Sequence, residues 1–269
     1  MRVLRRAALW AAALVAGLIA LLGIEALIAI ATVPDDDYRA PSAAPRQFGS
    51  GATRPLRLVV LGDSTATGRG APYEQGIAVA AARHLAARRR VTLTNLAVSG
   101  ARLGDVRRAQ LPDAAPLRPD VVLLAAGAND VTGLTRMSSV RDHLEAIARG
   151  LRRVRCDVAI VLTASPDVGS APRLAQPLRM VAGLRTRQLN RAAEDVARDR
   201  DLVLAPLAER TGRRFRADRS LFSADGFHPS AAGYAVWVPV IEAALDHATA
   251  QRVTPSPACS SARAGAGRR

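Results

Sequence analysis

The apolar positions of this chain follow two regimes. From Ala7 to Ile24 the sequence is apolar without a break, Glu25 interrupts it once, and "ALIAIATV" carries the pattern on to Pro34. Eighteen such residues rise about 27 Å as a helix, and the continuation past Glu25 exceeds a hydrocarbon core. Arg2, Arg5 and Arg6 precede the segment and Asp35 to Asp37 come after it, a charge order that keeps the N-terminus inside. The pattern predicts one N-terminal transmembrane helix within residues 1–34, serving as an anchor in the cell membrane. The chain beyond Pro34 is then expected to be extracytoplasmic. A cleaved signal peptide with secretion is the competing reading, because Ala29-Ile30-Ala31 resembles a small-x-small processing site.

Further along the chain the period changes. Short continuous apolar runs recur at 56–61, 91–96, 121–126, 158–163 and 202–204, and segments of helical spacing lie between them, clearest at 73–87, 138–154, 179–198 and 230–248. Strands that are apolar on both faces and alternate with helices predict a parallel sheet covered on each side. Five strands make a doubly wound α/β sandwich rather than a barrel, with its ligand site beyond the carboxyl ends of the strands. Residues 35–55, rich in Pro, Ser, Gly and Ala, read as a flexible linker, and 249–269 as a disordered Arg/Ala/Ser/Pro tail. The folded domain is expected at 56–248.

Charge adds a constraint on partners. The net charge is +15, and all 38 basic residues are arginine. Within the expected domain 28 arginines face 19 acidic residues, which leaves about +9. Aromatics make up 3% of the chain and no helix-turn-helix pattern accompanies the charge, so nucleic acid is not an expected partner. Anionic lipid headgroups or acidic wall polymers fit the charge outside a membrane, against the plainer reading of a solvated arginine surface. Cys156 and Cys259 stand alone, without a ligand cluster, so no metal or cofactor is expected; an oxidising location permits a disulfide between them, and a buried free Cys156 with an idle Cys259 is the alternative.

Candidate chemistry gathers at the predicted strand ends. The first strand runs into "GDSTATGRG" with Ser64, the second into "NLAVSGARLGD" with Gly100, and the third into "AAGANDVTG" with Asn129 and Asp130. Asp225 and His228 stand in "DGFHPSAAGYAVW" just before the last helix. Serine-based ester chemistry needs a base, a group that orients the base, and donors for an oxyanion. His84 and His143 fall within helices and His247 at a helix end, which leaves His228 as the base and Asp225 to fix its tautomer. The backbone N–H groups of Ser64 and Gly100 and the side-chain amide of Asn129 are the candidate oxyanion donors. Taken singly each has a plainer role: Gly100 as a turn residue, Asn129 as a helix cap, Asp225 as a turn aspartate.

In that order, "GDST", "NLAVSGA", "GAND" and "DGFHP" resemble the four blocks of the SGNH hydrolases, also called the GDSL esterase/lipase family. The resemblance spans about 56–245. It implies a flavodoxin-like three-layer α/β/α sandwich and a catalytic set of Ser64, Asp225 and His228, with Ser64, Gly100 and Asn129 in the oxyanion hole. One position departs: the family's leucine after the serine is Thr65 here, a change expected to alter local packing. The expected function is that of a membrane-anchored serine esterase or lipase acting on acyl or acetyl esters of a lipid, a cell-envelope glycan or a small molecule. An acyltransferase would use the same acyl-Ser64 intermediate. A non-catalytic module that binds acidic polymers would have no need of the intact Ser-His-Asp set.

Overall fold

A computed structural model describes residues 2–31, 38–51 and 54–251. The first element, α1 (Arg2–Ala31), is an unbroken helix whose apolar stretch, Arg5–Ala29, is long and apolar enough to cross a membrane. Most of that stretch is exposed, and Glu25, Ala26 and Ala29 near its end are partly covered. A signal sequence would pass the same test of length and composition.

Six strands form one sheet: β1 (Arg46–Phe48), β2 (Leu56–Gly62), β3 (Val91–Asn95), β4 (Val121–Ala125), β5 (Ala159–Leu162) and β6 (Val203–Leu204). Their order is β1-β3-β2-β4-β5-β6, and all pairs are parallel except the edge pair of β1 with β3. The five parallel strands are those expected from the apolar runs, in the flavodoxin-like order. The sixth lies inside the stretch read as linker. Three residues of mixed polarity carry no strand period, and it is the backbone edge of β3 that holds them.

Burial follows from the alternation of side chains along each strand. Val59, Leu61, Val122 and Leu124 face one way, into a core with α6 (Met137–Val154) and α7 (Leu178–Asp199). Leu58, Val60, Leu123 and Ala125 face the other, toward α2 (Ile77–Ala86) and α9 (Ala231–Gln251). The apolar residues of α6, Val140, Leu144, Ile147 and Leu151, recur at helical spacing and are all buried. Two helical stretches lie outside the segments of helical spacing read from the sequence. One is α8 (Leu207–Ala217), which buries only Leu207, Thr211, Gly212 and Phe215. The other runs from α3 (Leu103–Asp105) through a π turn (Val106–Gln110) into α4 (Leu111–Leu117). The final helix carries Thr249–Gln251, the first residues expected in the tail; 252–269 lie outside the described residues.

The chain reverses winding direction between β2 and β4, the place where open α/β sheets bind ligands. There β2 closes against β4 so tightly that a Cβ on Gly62 would stand 1.9 Å from the Ala125 carbonyl oxygen. The π turn delivers Gln110, whose buried side-chain amide donates to the Gly62 carbonyl and accepts from the Gly62 N–H, each at 2.8 Å. This side chain acts as one rung of a missing strand. Gln110→Ala leaves the buried Gly62 N–H unpaired, at about 1–3 kcal/mol, and removes one bond from the Gly62 carbonyl, which keeps Val98 N–H, at about 0.5–1.5 kcal/mol. Denaturant melts should show a loss of about 2–4 kcal/mol; a loss below about 1 kcal/mol would show that solvent reaches Gly62.

Candidate active site

Ser64 is the second residue beyond β2, in a chain of tight turns rather than a free loop. Asp63 donates its N–H to Ala125 O at 3.0 Å, Thr67 N–H donates to Asp63 O, and Arg69 N–H donates to Ser64 O. The neighbouring Gly70 has φ +94°, and a Cβ there would lie 2.4 Å from Pro229 O, so only glycine lets the serine loop touch the histidine loop. Tyr234, fully buried on α9, donates its hydroxyl to Arg69 O at 2.7 Å and ties the same two regions.

These constraints bring together Ser64, His228 and Asp225. Ser64 Oγ lies 2.9 Å from His228 Nε2, and His228 Nδ1 lies 2.5 Å from Asp225 Oδ2. With its Nδ1 proton directed at Asp225, the imidazole presents Nε2 as the acceptor for the serine hydroxyl. Ser64 and His228 are both buried. Burial opposes the charge on Asp225, but hydrogen bonds from the His228 ring and the backbone N–H groups of His228 and Phe227 outweigh it. They hold the carboxyl well below the usual carboxylate range.

Asn129 sits on a short helix, α5 (Ala128–Thr132), directly after β4. Its amide donates to Ala101 O at 3.1 Å, which links it to the turn holding Gly100. Gly100 is exposed, with φ +86°. Asp130 is fully buried and accepts from Leu103 N–H at 2.9 Å, a second tie between the same two segments. Thr65, where the family pattern has leucine, gives two hydrogen bonds to Asp63 Oδ1, from its N–H at 2.9 Å and its hydroxyl at 2.8 Å.

Arg173 has no motif to announce it. Its Nε donates to Asp225 O at 2.7 Å, its backbone N–H donates to Gly226 O, and its guanidinium lies over the Phe227 ring. It clamps the loop that carries Asp225 and His228. Beside Ser64 is a cavity of about 30 Å³ lined by Pro166, Val168, Phe222, Phe227 and His228 among others, space on the order of one or two water molecules. Among the described residues no group of three or more His, Cys, Asp or Glu side chains could hold a metal ion. Cys156 is not a free thiol, and Cys259 lies outside the described residues.

The sequence pattern of the GDSL-like Lipase/Acylhydrolase family matches residues 60–236, from the strand before Ser64 to the helix after His228. The chain belongs to that family. This GDSL-like chain is 33% identical over 204 residues to the GDSL-like esterase Rv1075c of Mycobacterium tuberculosis, a match covering 74% of this chain and 64% of that protein. The alignment therefore spans just under two thirds of the relative. In fold it is similar to the crystal structure of TesA, with TM-score 0.58, 21% identity, and coverage of 72% of this chain and 99% of TesA. Phospholipase A1 from Streptomyces albidoflavus NA297 is similar with TM-score 0.55 and 21% identity, covering 71% of this chain and 99% of that one. The four sequence blocks thus fall on an SGNH hydrolase fold.

Asp63 completes the GDST block and has a measurable signature. Burial pushes its carboxyl up to about 6, opposed by the two hydrogen bonds from Thr65 and by His228 and reinforced by Asp130. An unfolded aspartate ionises near pH 4, so the folded state gains stability from Asp63 that is complete below that value and lost as pH rises through 6. The difference is about 3 kcal/mol. Denaturant melts of wild type and Asp63→Asn should therefore diverge by up to about 3 kcal/mol in the variant's favour between pH 4 and 7. A pH-independent difference would mean that Asp63 ionises normally in the fold.

Proposed function

We propose that this GDSL-like protein is a membrane-anchored serine ester hydrolase whose catalytic domain lies outside the cytoplasm, acting on acyl or acetyl esters of a lipid or cell-envelope glycan. The observation that carries the reading is the unbroken hydrogen-bonded line from Ser64 Oγ through the His228 ring to Asp225. Family membership supports an ester substrate, small or lipidic. The arginine-flanked α1 supports the anchor and its orientation.

In this reading His228 Nε2 accepts the hydroxyl proton as Ser64 Oγ bonds to the ester carbonyl carbon. Asp225, ionised and hydrogen-bonded to Nδ1, stabilises the imidazolium. The N–H groups of Ser64 and Gly100 and the Asn129 amide take the oxyanion. Collapse of the tetrahedral species expels the alcohol, which leaves with the proton from His228. Water then attacks the acyl-Ser64 ester with His228 again as base, and the acid departs.

Substitution separates these roles. Ser64→Ala and His228→Ala should each lower turnover of p-nitrophenyl esters by about 10³ or more. Asn129→Ala should lose about 10²–10³, because it removes one oxyanion donor and spares the nucleophile. A fluorophosphonate probe should label wild type and not Ser64→Ala; labelling of that variant would place the reactive serine elsewhere.

Topology has its own measurement. Protease added to intact cells should release a soluble fragment beginning between Arg39 and Pro55. Protection until lysis would reverse the orientation.

A further inference from the structure

The C-terminal turns of α1 are not free of the domain. Glu25, the one acidic residue in the apolar segment, accepts a hydrogen bond from Leu178 N–H at 2.9 Å, at the first turn of α7. An acid in a membrane-spanning segment is costly without a partner, and a helix N-terminus is a favourable one for a carboxylate. The next residue, Ala26, and Ala29 one turn further form a wall of a cavity of about 290 Å³, whose other walls include Val131, Leu178, Val181 and Phe227. That volume lies at the lower end of small-ligand sites, about 300–1,000 Å³.

Two features tie this cavity to the chemistry. Val131 belongs to α5, two residues from Asn129, and Phe227 precedes His228 and also lines the slot of about 30 Å³ beside Ser64. That slot admits nothing longer than a few atoms. The larger cavity, which Phe227 also lines, is mostly apolar, with Thr132, Arg173 and Arg185 as its polar residues. Its surroundings point to a bilayer. Apart from α1, the exposed large apolar side chains among the described residues are Val98, Leu134, Met180 and Leu184. Leu134 lines the cavity, and Met180 and Leu184 ride on α7, which forms its floor. Exposed apolar side chains beside a membrane helix suit the acyl-chain boundary of a bilayer.

We propose that the membrane helix is part of the substrate site: Glu25 docks it on α7, and Ala26 and Ala29 close a channel through which the acyl chain of a bilayer lipid ester reaches Ser64. This rests on the esterase reading and adds to it the source of the substrate and a retained anchor. The acyl chain lies against α1 and α7 while its carbonyl reaches past Phe227 to the serine.

The test uses full-length protein in phosphatidylcholine nanodiscs, with kcat/KM measured on p-nitrophenyl octanoate and p-nitrophenyl acetate and active sites counted by fluorophosphonate labelling. Each buried methylene contributes roughly fourfold to binding, so displacing two or more gives a tenfold effect. Ala29→Trp, which fills the cavity from the anchor, and Val181→Trp, which fills it from the domain, should each lower the octanoate-to-acetate ratio by about tenfold or more. Leu14→Trp, on the exposed surface of the same helix, should leave the ratio as in wild type. An unchanged ratio in Ala29→Trp, or an equal fall in Leu14→Trp, would overturn the proposal while the esterase reading stands. So would a mature chain beginning at Thr32, which has lost α1. Absence of labelling in wild type would remove the esterase reading and this proposal with it.

Discussion

Gly62 is where the strands, the π turn and two active-site loops are fastened to one another. Its N–H and carbonyl engage Gln110, and its carbonyl also accepts from Val98 N–H at 3.1 Å. The next residue bonds to Ala125 at the end of β4. Ser64 therefore leaves β2 from a point fixed against the loop that carries Gly100 and the strand that leads to Asn129. Three candidate groups from three strand ends share one backbone origin. Buried backbone hydrogen bonds are costly to leave unmade, so the geometry is held by the fold rather than by contacts among the active side chains themselves.

The parts of this arrangement visible in the sequence are those that repeat or that carry side-chain chemistry. Apolar runs locate the five parallel strands because both faces of each are buried, and they miss β1 because an edge strand of three residues needs only backbone pairing. Ser64, His228 and Asp225 stand out as a polar set in loops at strand ends. Gln110 and Arg173 do not, because each binds a backbone atom, and a side chain that binds backbone leaves no matching residue type elsewhere in the chain. Thr65 shows the same limit. Its departure from the family pattern is plain in the sequence, yet its partner, the buried Asp63 carboxylate, becomes evident only when the turn closes.

The arginine excess also takes a more definite form than an even surface. Acids are shared: Glu74 by Arg46 and Arg83, Glu145 by Arg149 and Arg200, Asp195 by Arg141 and Arg198, and Asp120 by Arg57 and Arg155. Exposed pairs of this kind contribute little singly, and sharing spreads one carboxylate over two cations. Asp120 is the exception in burial. It also accepts the Arg57 N–H at 2.8 Å, so it stitches the start of β2 to the turn before β5.

The line from Ser64 to His228 spans 164 positions of chain. Synthesis runs from the N-terminus, so the apolar helix and the serine loop emerge long before the histidine exists. In the proposed mechanism Ser64 has no base throughout that interval, so ester hydrolysis waits for the histidine. Tyr234, on the helix that follows, is also the residue that ties the serine loop down, so in that reading both the base and this tie come late in the chain. A sheet of this topology thus joins its earliest strand end to one of its latest loops.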